Sequence, residues 1–289
     1  MSELSYPFVV NHGSAGLTVT SLQDREAVRN RTAPDDLVAL CRSFYDQVSR
    51  TLDSSELGEV LFFLDYGYVE VDGNNESRYE IAENVPYREA VRLAYELLGS
   101  TVIRGRTVLD IGCGRGGLCR VLSSEFDARV TGVDLSPVAI EFCRARHGAQ
   151  PNTTFLVGDA GHLPLADNTF DVVTNLESSH CYADMAQFLH EVRRILRPGG
   201  TFLHADLLEP GSWQEMRTEM SKLGLIVTSD RDITANIVAA RDRAAVLEAQ
   251  APRERTQLMK NFLGLPGSLT YRLLRDGALQ YRLSRAVAG

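Results

Sequence analysis

The sequence predicts an α/β fold: a doubly wound, mostly parallel sheet preceded by a helical cap. Between Val108 and Leu207, short apolar or β-branched runs alternate with helix-length segments. That rhythm belongs to parallel strands joined by right-handed crossovers. The first of these runs feeds a glycine turn, Gly112-Cys-Gly114-Arg-Gly116-Gly117, that opens a helix. Glycines are needed where a backbone bends sharply and lets a ligand touch the main chain.

Each element carries its own signal. Leu37, Leu40, Phe44 and Val48 share a face of a helix expected over Asp35–Thr51. Ala90, Val91, Ala94 and Leu97 do the same over Tyr87–Leu98. Between them Leu61–Tyr68 is apolar and aromatic, and Asp72–Ser77 supplies turn residues. Strands are expected at Val108–Ile111, Arg129–Asp134, Thr154–Val157, Asp171–Asn175 and Thr201–Leu207. Helices are expected at Gly116–Glu125, Pro137–His147 and Met185–Leu196. Ser136 is placed as N-cap, with Pro137 as first helical residue. Ile233–Gln250 reads as one long helix and Leu279–Ala288 as a closing strand. The chain thus divides into a helical cap or lid (1–98), a ligand-binding core (99–208) and an insertion with the closing strands (209–289).

The 289 residues are 44% hydrophobic and 24% charged, enough to bury a core without staples. A formal charge of −8 with no Lys/Arg run opposes a phosphate backbone, which argues against nucleic acid as a partner. No segment approaches the roughly 18 apolar residues of a membrane span. The first residues, Met-Ser-Glu-Leu-Ser-Tyr-Pro, lack the basic start and apolar stretch of a signal peptide. Cys41, Cys113, Cys119, Cys143 and Cys181 are odd in number and form no C-x-x-C pair. Neither a disulfide framework nor a metal site is expected. The expected setting is the reducing cytoplasm, as a monomer or homodimer.

Gly112, Gly114 and Gly117 fit a dinucleotide fingerprint, with Asp134 placed to hold a ribose. Three acids favour a different ligand. Asp110 ends the first strand, where a carboxylate suits an ammonium and a sulfonium and opposes a pyrophosphate. Asp134 ends the second, placed for two ribose hydroxyls, with Leu135 beside it. Asp159, in Gly158-Asp159-Ala160, follows the third and can accept from an adenine amino group. A dinucleotide leaves Asp110 and Asp159 without a role; S-adenosylmethionine employs all three.

With Asp110–Gly116, Gly132-Val-Asp134, Gly158-Asp-Ala160, Leu163-Pro-Leu165, Phe170-Asp171 and Leu196-Arg-Pro-Gly-Gly200, the chain resembles the class I S-adenosylmethionine-dependent methyltransferases. The resemblance implies a Rossmann-like sheet of seven strands, the last antiparallel, with the cofactor over the carboxyl ends of the first strands. Asp110, Gly112, Cys113, Gly114, Asp134, Leu135, Gly158, Asp159, Ala160 and Asn175 are the expected cofactor contacts.

Transfer to an alcohol needs alignment and a base. Asn175-Leu-Glu-Ser-Ser-His180-Cys-Tyr182 directly follows the fourth strand, and a histidine is the side chain suited to take a hydroxyl proton near neutral pH. Asp206 ends the next strand, where it can orient His180; His204 is the reserve candidate. The same segment resembles the phthiotriol and fatty-acid methyltransferases of mycobacteria and sugar O-methyltransferases of antibiotic pathways, which implies His180 as base and Asp206 as partner. The leader before Asp35 departs from that pattern. Tyr66, Tyr68, Trp213 and Phe262 are expected to help line an apolar acceptor cavity. Tyr66 and Tyr68 could alternatively close over the methionine end of the cofactor. Two rivals remain: a polyketide cyclase that binds S-adenosylmethionine without transferring its methyl, and an NAD-dependent oxidoreductase, which gives Asp110 and Asp159 no role; within methyltransferases, transfer to carbon or nitrogen stays open.

Overall fold

The computed structural model describes residues 33–54, 58, 61–71, 73, 79–82, 85–250 and 262–289. The leader before Asp35 and the turn at Asp72–Ser77 fall almost entirely outside the described residues.

Local chemistry sets the strands. Thr107–Ile111 (β1) and Arg129–Asp134 (β2) are short and β-branched, and they pair in parallel with Val108 opposite Val130. Thr153–Val157 (β3), Phe170–Leu176 (β4) and Leu196–Leu208 (β5) extend the parallel sheet on either side. Leu225–Asp232 (β6) and Gln280–Ala288 (β7) complete it, with β7 antiparallel to both its neighbours. The order is β3-β2-β1-β4-β5-β7-β6, seven strands with the last reversed, as the resemblance implied. Chain order reverses beside β1, so a crevice opens at the carboxyl ends of β1 and β4, where open sheets bind ligands.

Strand alternation splits the core in two. Val108, Val130, Val172 and Leu203 face the layer of α2 (Arg88–Leu98), α3 (Gly117–Ser124) and α4 (Pro137–His147). Their neighbours Leu109, Val173 and Phe202 face α5 (Met185–Ile195) and α6 (Pro210–Lys222). Ser136 caps α4 by accepting from Ala139 N–H at 3.1 Å. The cap helix α1 (Pro34–Asp53) carries Phe44 and Val48 against Phe262 in a third, smaller cluster. After β6 come α7 (Thr234–Gln250) and α8 (Leu269–Arg275).

Residues 209–289 carry the closing strands β6 and β7, with β6 at the edge, and α6 packs on the sheet. The helix α6 had no clear apolar period to announce it, and β6 exposes Ile226 on the edge. Among the described residues no helix is long and apolar enough to cross a membrane.

Candidate active site

A cavity lies where the glycine turn, the ends of β2 and β4 and the cap meet. Gly112, Cys113 and Gly114 form its floor, and Leu135, Gly158 and Ala160 line it with the acids Asp110, Asp134 and Asp159. The turn is tight because three glycines take positive φ: Gly112 at 73°, Gly114 at 51° and Gly116 at 79°. A Cβ on Gly112 would stand 2.2 Å from Ser178 Oγ, so no larger residue fits. The ring of Phe63 lies over Gly117 in the same way and ties the cap to the turn.

Each acid is held differently. Asp110 is buried, and Thr174 Oγ1–H donates to one oxygen at 2.8 Å and Cys119 Sγ–H to the other at 3.4 Å. Burial outweighs these bonds and pushes its carboxyl up to about 7. Asp134 accepts from Gly114 N–H and Ser136 N–H, both at 2.8 Å. Burial raises its carboxyl too, against those two bonds. Asp159 accepts from Gly161 N–H at 2.9 Å within its own turn.

His180 sits on a 3₁₀ turn, Ser179–Cys181, directly after β4, and is one of the residues that line the cavity. Its Nδ1 is 2.6 Å from Asp206 Oδ1. Asp206 is wholly buried behind it and also accepts from Ser179 Oγ–H at 2.6 Å, His180 N–H at 3.0 Å and Leu207 N–H at 2.7 Å. Burial alone would raise the Asp206 carboxyl, but His180 and these donors hold it at about 2. An anion fixed there is a suitable acceptor for a proton on His180 Nδ1. His204 stands on the far side of Asp206 and is absent from the cavity wall, which removes it as the base.

Sequence reasoning missed Glu177 and Asp65, which also line the cavity. Glu177 holds a left-handed φ of 52°, and its Oε2 accepts from Tyr66 N–H at 3.0 Å and Tyr281 O–H at 2.9 Å. Burial, then Asp65, pushes its carboxyl well above the usual range. Burial likewise lifts Asp65 to about 6. Glu177 lay in the quoted Asn175–Tyr182 segment; its neighbour across the fold had no local signal.

Four expected residues stand elsewhere. Tyr66 and Tyr68 are buried in the core beneath the cap, and Phe62, Phe63, Leu64 and Asp65 line the cavity in their place. Trp213 packs on the opposite face of the sheet, its indole N–H donating to Gln280 O at 3.0 Å. Asn175 is buried just under the wall, with Nδ2 2.9 Å from Ile111 O and 2.8 Å from Ser178 Oγ. Phe262 does line the cavity.

The wall is strongly acidic. Asp65, Asp110, Asp134, Asp159 and Glu177 all reach it, against one cation among the described lining residues, Arg115. Its guanidinium is fully buried and turned away, bonding Leu61 O, Ser49 O, Gly58 O and Asp53. Such a wall opposes a pyrophosphate and suits a ligand carrying an ammonium and a sulfonium. The residues present therefore fit S-adenosylmethionine.

Comparison with known proteins agrees. A family described as a methyltransferase domain matches residues 109–204. A phthiotriol/phenolphthiotriol dimycocerosates methyltransferase of Mycobacterium tuberculosis is 32% identical over 84% of this chain and 89% of its own. A fatty-acid O-methyltransferase of Mycolicibacterium smegmatis is 34% identical over 76% of this chain and 81% of its own. Among solved structures, geranyl diphosphate C-methyltransferase from Streptomyces coelicolor, in complex with S-adenosyl-L-homocysteine, superposes with a TM-score of 0.66 at 22% identity. It covers 85% of this chain and 98% of that one. The cyclase SpnF gives 0.68 at 18% identity over 87% and 96% of the two chains. These two likenesses speak for the fold alone. With the curated relatives, they place the chain in a known family: it belongs to the class I S-adenosylmethionine-dependent methyltransferases, and S-adenosylmethionine is its cofactor.

Proposed function

We propose that this enzyme methylates a hydroxyl oxygen of a small, fairly hydrophobic natural product or lipid, with His180 as general base and Asp206 as its orienting partner. The observation that carries this is the 2.6 Å contact between His180 Nδ1 and a wholly buried Asp206, with His180 among the residues that line the cavity. Asp134 is assigned to the ribose hydroxyls, with Leu135 beside them, and Asp159 with Gly158 and Ala160 to the adenine. Asp110 and the turn Gly112–Gly114 take the methionine end. Bound S-adenosylmethionine supplies an electrophilic methyl and leaves as S-adenosylhomocysteine. His180 Nε2 takes the acceptor's O–H proton as the new O–C bond forms, and Asp206 stabilises the imidazolium. The proton then passes to solvent, which restores the neutral ring.

Apolar side chains on the wall, Val38, Phe62, Leu64 and Phe262, support a hydrophobic acceptor. So do the lipid names carried by the curated relatives. The test offers the enzyme a long-chain alcohol, a phenol and a long-chain fatty acid, with mass spectrometry locating the methyl. A His180→Ala variant is expected to lose about 100-fold in turnover or more on a hydroxyl acceptor. Its affinity for S-adenosylhomocysteine is expected to hold. Transfer to carbon, consumption of acceptor without methyl gain, or full activity in His180→Ala would each overturn the reading. A fatty acid as sole acceptor would overturn the base, since a carboxylate has no proton to remove at neutral pH.

A further inference from the structure

Behind the His180–Asp206 pair lies a buried histidine that the proposed reaction leaves unused. His204, on β5, is fully buried, with its ring 5.5 Å from that of Phe202 and 5.3 Å from that of Trp213. Its Nε2 is 2.8 Å from Ser179 Oγ, and that hydroxyl donates to Asp206 Oδ2 at 2.6 Å. Ser179 and His180 belong to the same 3₁₀ turn. Resting on the reading of His180 as base, we propose that His204 and Ser179 are positioning residues, in which His204 Nε2–H orients the Ser179 hydroxyl toward Asp206 and so fixes the carboxylate that holds the His180 ring.

The direction of the chain follows from where His204 keeps its proton. Burial holds the ring neutral, with its proton affinity pushed down to about 4, so one nitrogen alone carries hydrogen. His204 Nδ1 has no hydrogen-bond partner among the described residues. A proton there would leave a buried donor unmet, and a lost donor is more costly than an idle lone pair. It would also set two acceptors, His204 Nε2 and Asp206 Oδ2, competing for one hydroxyl hydrogen. With the proton on Nε2 every hydrogen is used once: His204 donates to Ser179, Ser179 to Asp206, and His180 Nδ1–H to the other carboxylate oxygen. Glu177, Tyr281, Tyr182 and Cys181 also feel the Asp206 charge, and Asp230 faces His204. These set the field; the Ser179 hydroxyl sets the angle.

Two substitutions separate positioning from packing. His204→Phe keeps an aromatic ring against Trp213 and removes the donor. His204→Gln keeps an N–H near the Nε2 position and gives up ring packing. The readout is proton NMR of the full chain with S-adenosylhomocysteine bound, following the far-downfield Nδ1–H resonance of a histidine bonded to a carboxylate. Its disappearance in His180→Ala assigns it. Positioning predicts that the resonance is lost in His204→Phe and retained in His204→Gln. Retention in His204→Phe, or loss in His204→Gln, overturns the proposal. Should His204→Phe fail to bind S-adenosylhomocysteine, Ser179→Ala carries the test: loss supports the relay and persistence refutes it. No acceptor is involved, so this result stands apart from the turnover of His180→Ala that tests the base.

Discussion

Replacing His204 with Phe is expected to flatten the acid side of the stability profile. A histidine in the unfolded chain takes up its proton near pH 6.5. In the fold, burial lowers His204 to about 4; Asp206 partly opposes this and His180 adds to it. Between those values the unfolded chain binds a proton that the folded chain refuses. Stability therefore falls as pH drops from about 6.5 to about 4, and this contribution is level outside that window. The interval of about 2.5 pH units, at about 1.4 kcal/mol each, gives about 3.5 kcal/mol. That is a large share of the roughly 5–15 kcal/mol that holds a domain together. The assay is urea unfolding followed by circular dichroism, at about pH 7 and about pH 4.5, for wild type and His204→Phe. The comparison of the two proteins matters more than either profile. Asp110 and Asp65 are raised in the fold, so they favour the folded state as pH falls, and they are present in both. Equal loss in the two proteins would refute a neutral, desolvated His204.

Three further outcomes follow. Gly112→Ala places a methyl 2.2 Å from Ser178 Oγ at a φ of 73°. Calorimetry should find affinity for S-adenosylhomocysteine at least about fivefold weaker, since the left-handed backbone alone costs about 1–2 kcal/mol, and Ser178→Gly should recover only the steric part. Trp213→Ala, far from the cavity, should cost about 3–5 kcal/mol in denaturant while ligand affinity at a temperature where it remains folded is unchanged. Affinity for S-adenosylmethionine should tighten as pH rises through about 7, where Asp110 ionises, and Asp110→Asn should abolish that dependence.

Much of the sheet was legible because its signals are local. Arg129–Asp134 and Pro137–His147 have the expected bounds, since a β-branched run and a Ser-Pro cap each act within a few residues. Strand β5 starts earlier than Thr201, at Leu196, because Phe170 pairs with Leu196 across a register shift before Val172. That pairing is a property of two distant segments. The edge strand β6 is half solvent-facing and presents Ile226 outward, so its residues lack the apolar continuity that marks the buried strands.

The site divides along the same line. Asp110, Asp134 and Asp159 were readable because the end of a parallel strand is a position in the chain as well as in space. Tyr66 and Tyr68 misled because an aromatic run announces burial without its direction. The segment crosses the cavity with Phe62–Asp65 and then turns inward at Gly67, whose φ of 69° lets Tyr68 N–H reach Glu89 O at 2.9 Å. Arg115 makes the point from the other side. Within the glycine turn it looks like a cation for a phosphate, yet its four acceptors are contributed by residues 49–61. The fold thus consumes the turn's positive charge and leaves the acids to face the ligand. Alternation likewise put His204 and Asp206 correctly on one face, but only the packing of Trp213 decides that the first is buried behind the second. A period of two specifies a side of the sheet and carries no depth, and depth is what puts His180 on the cavity wall and keeps His204 off it.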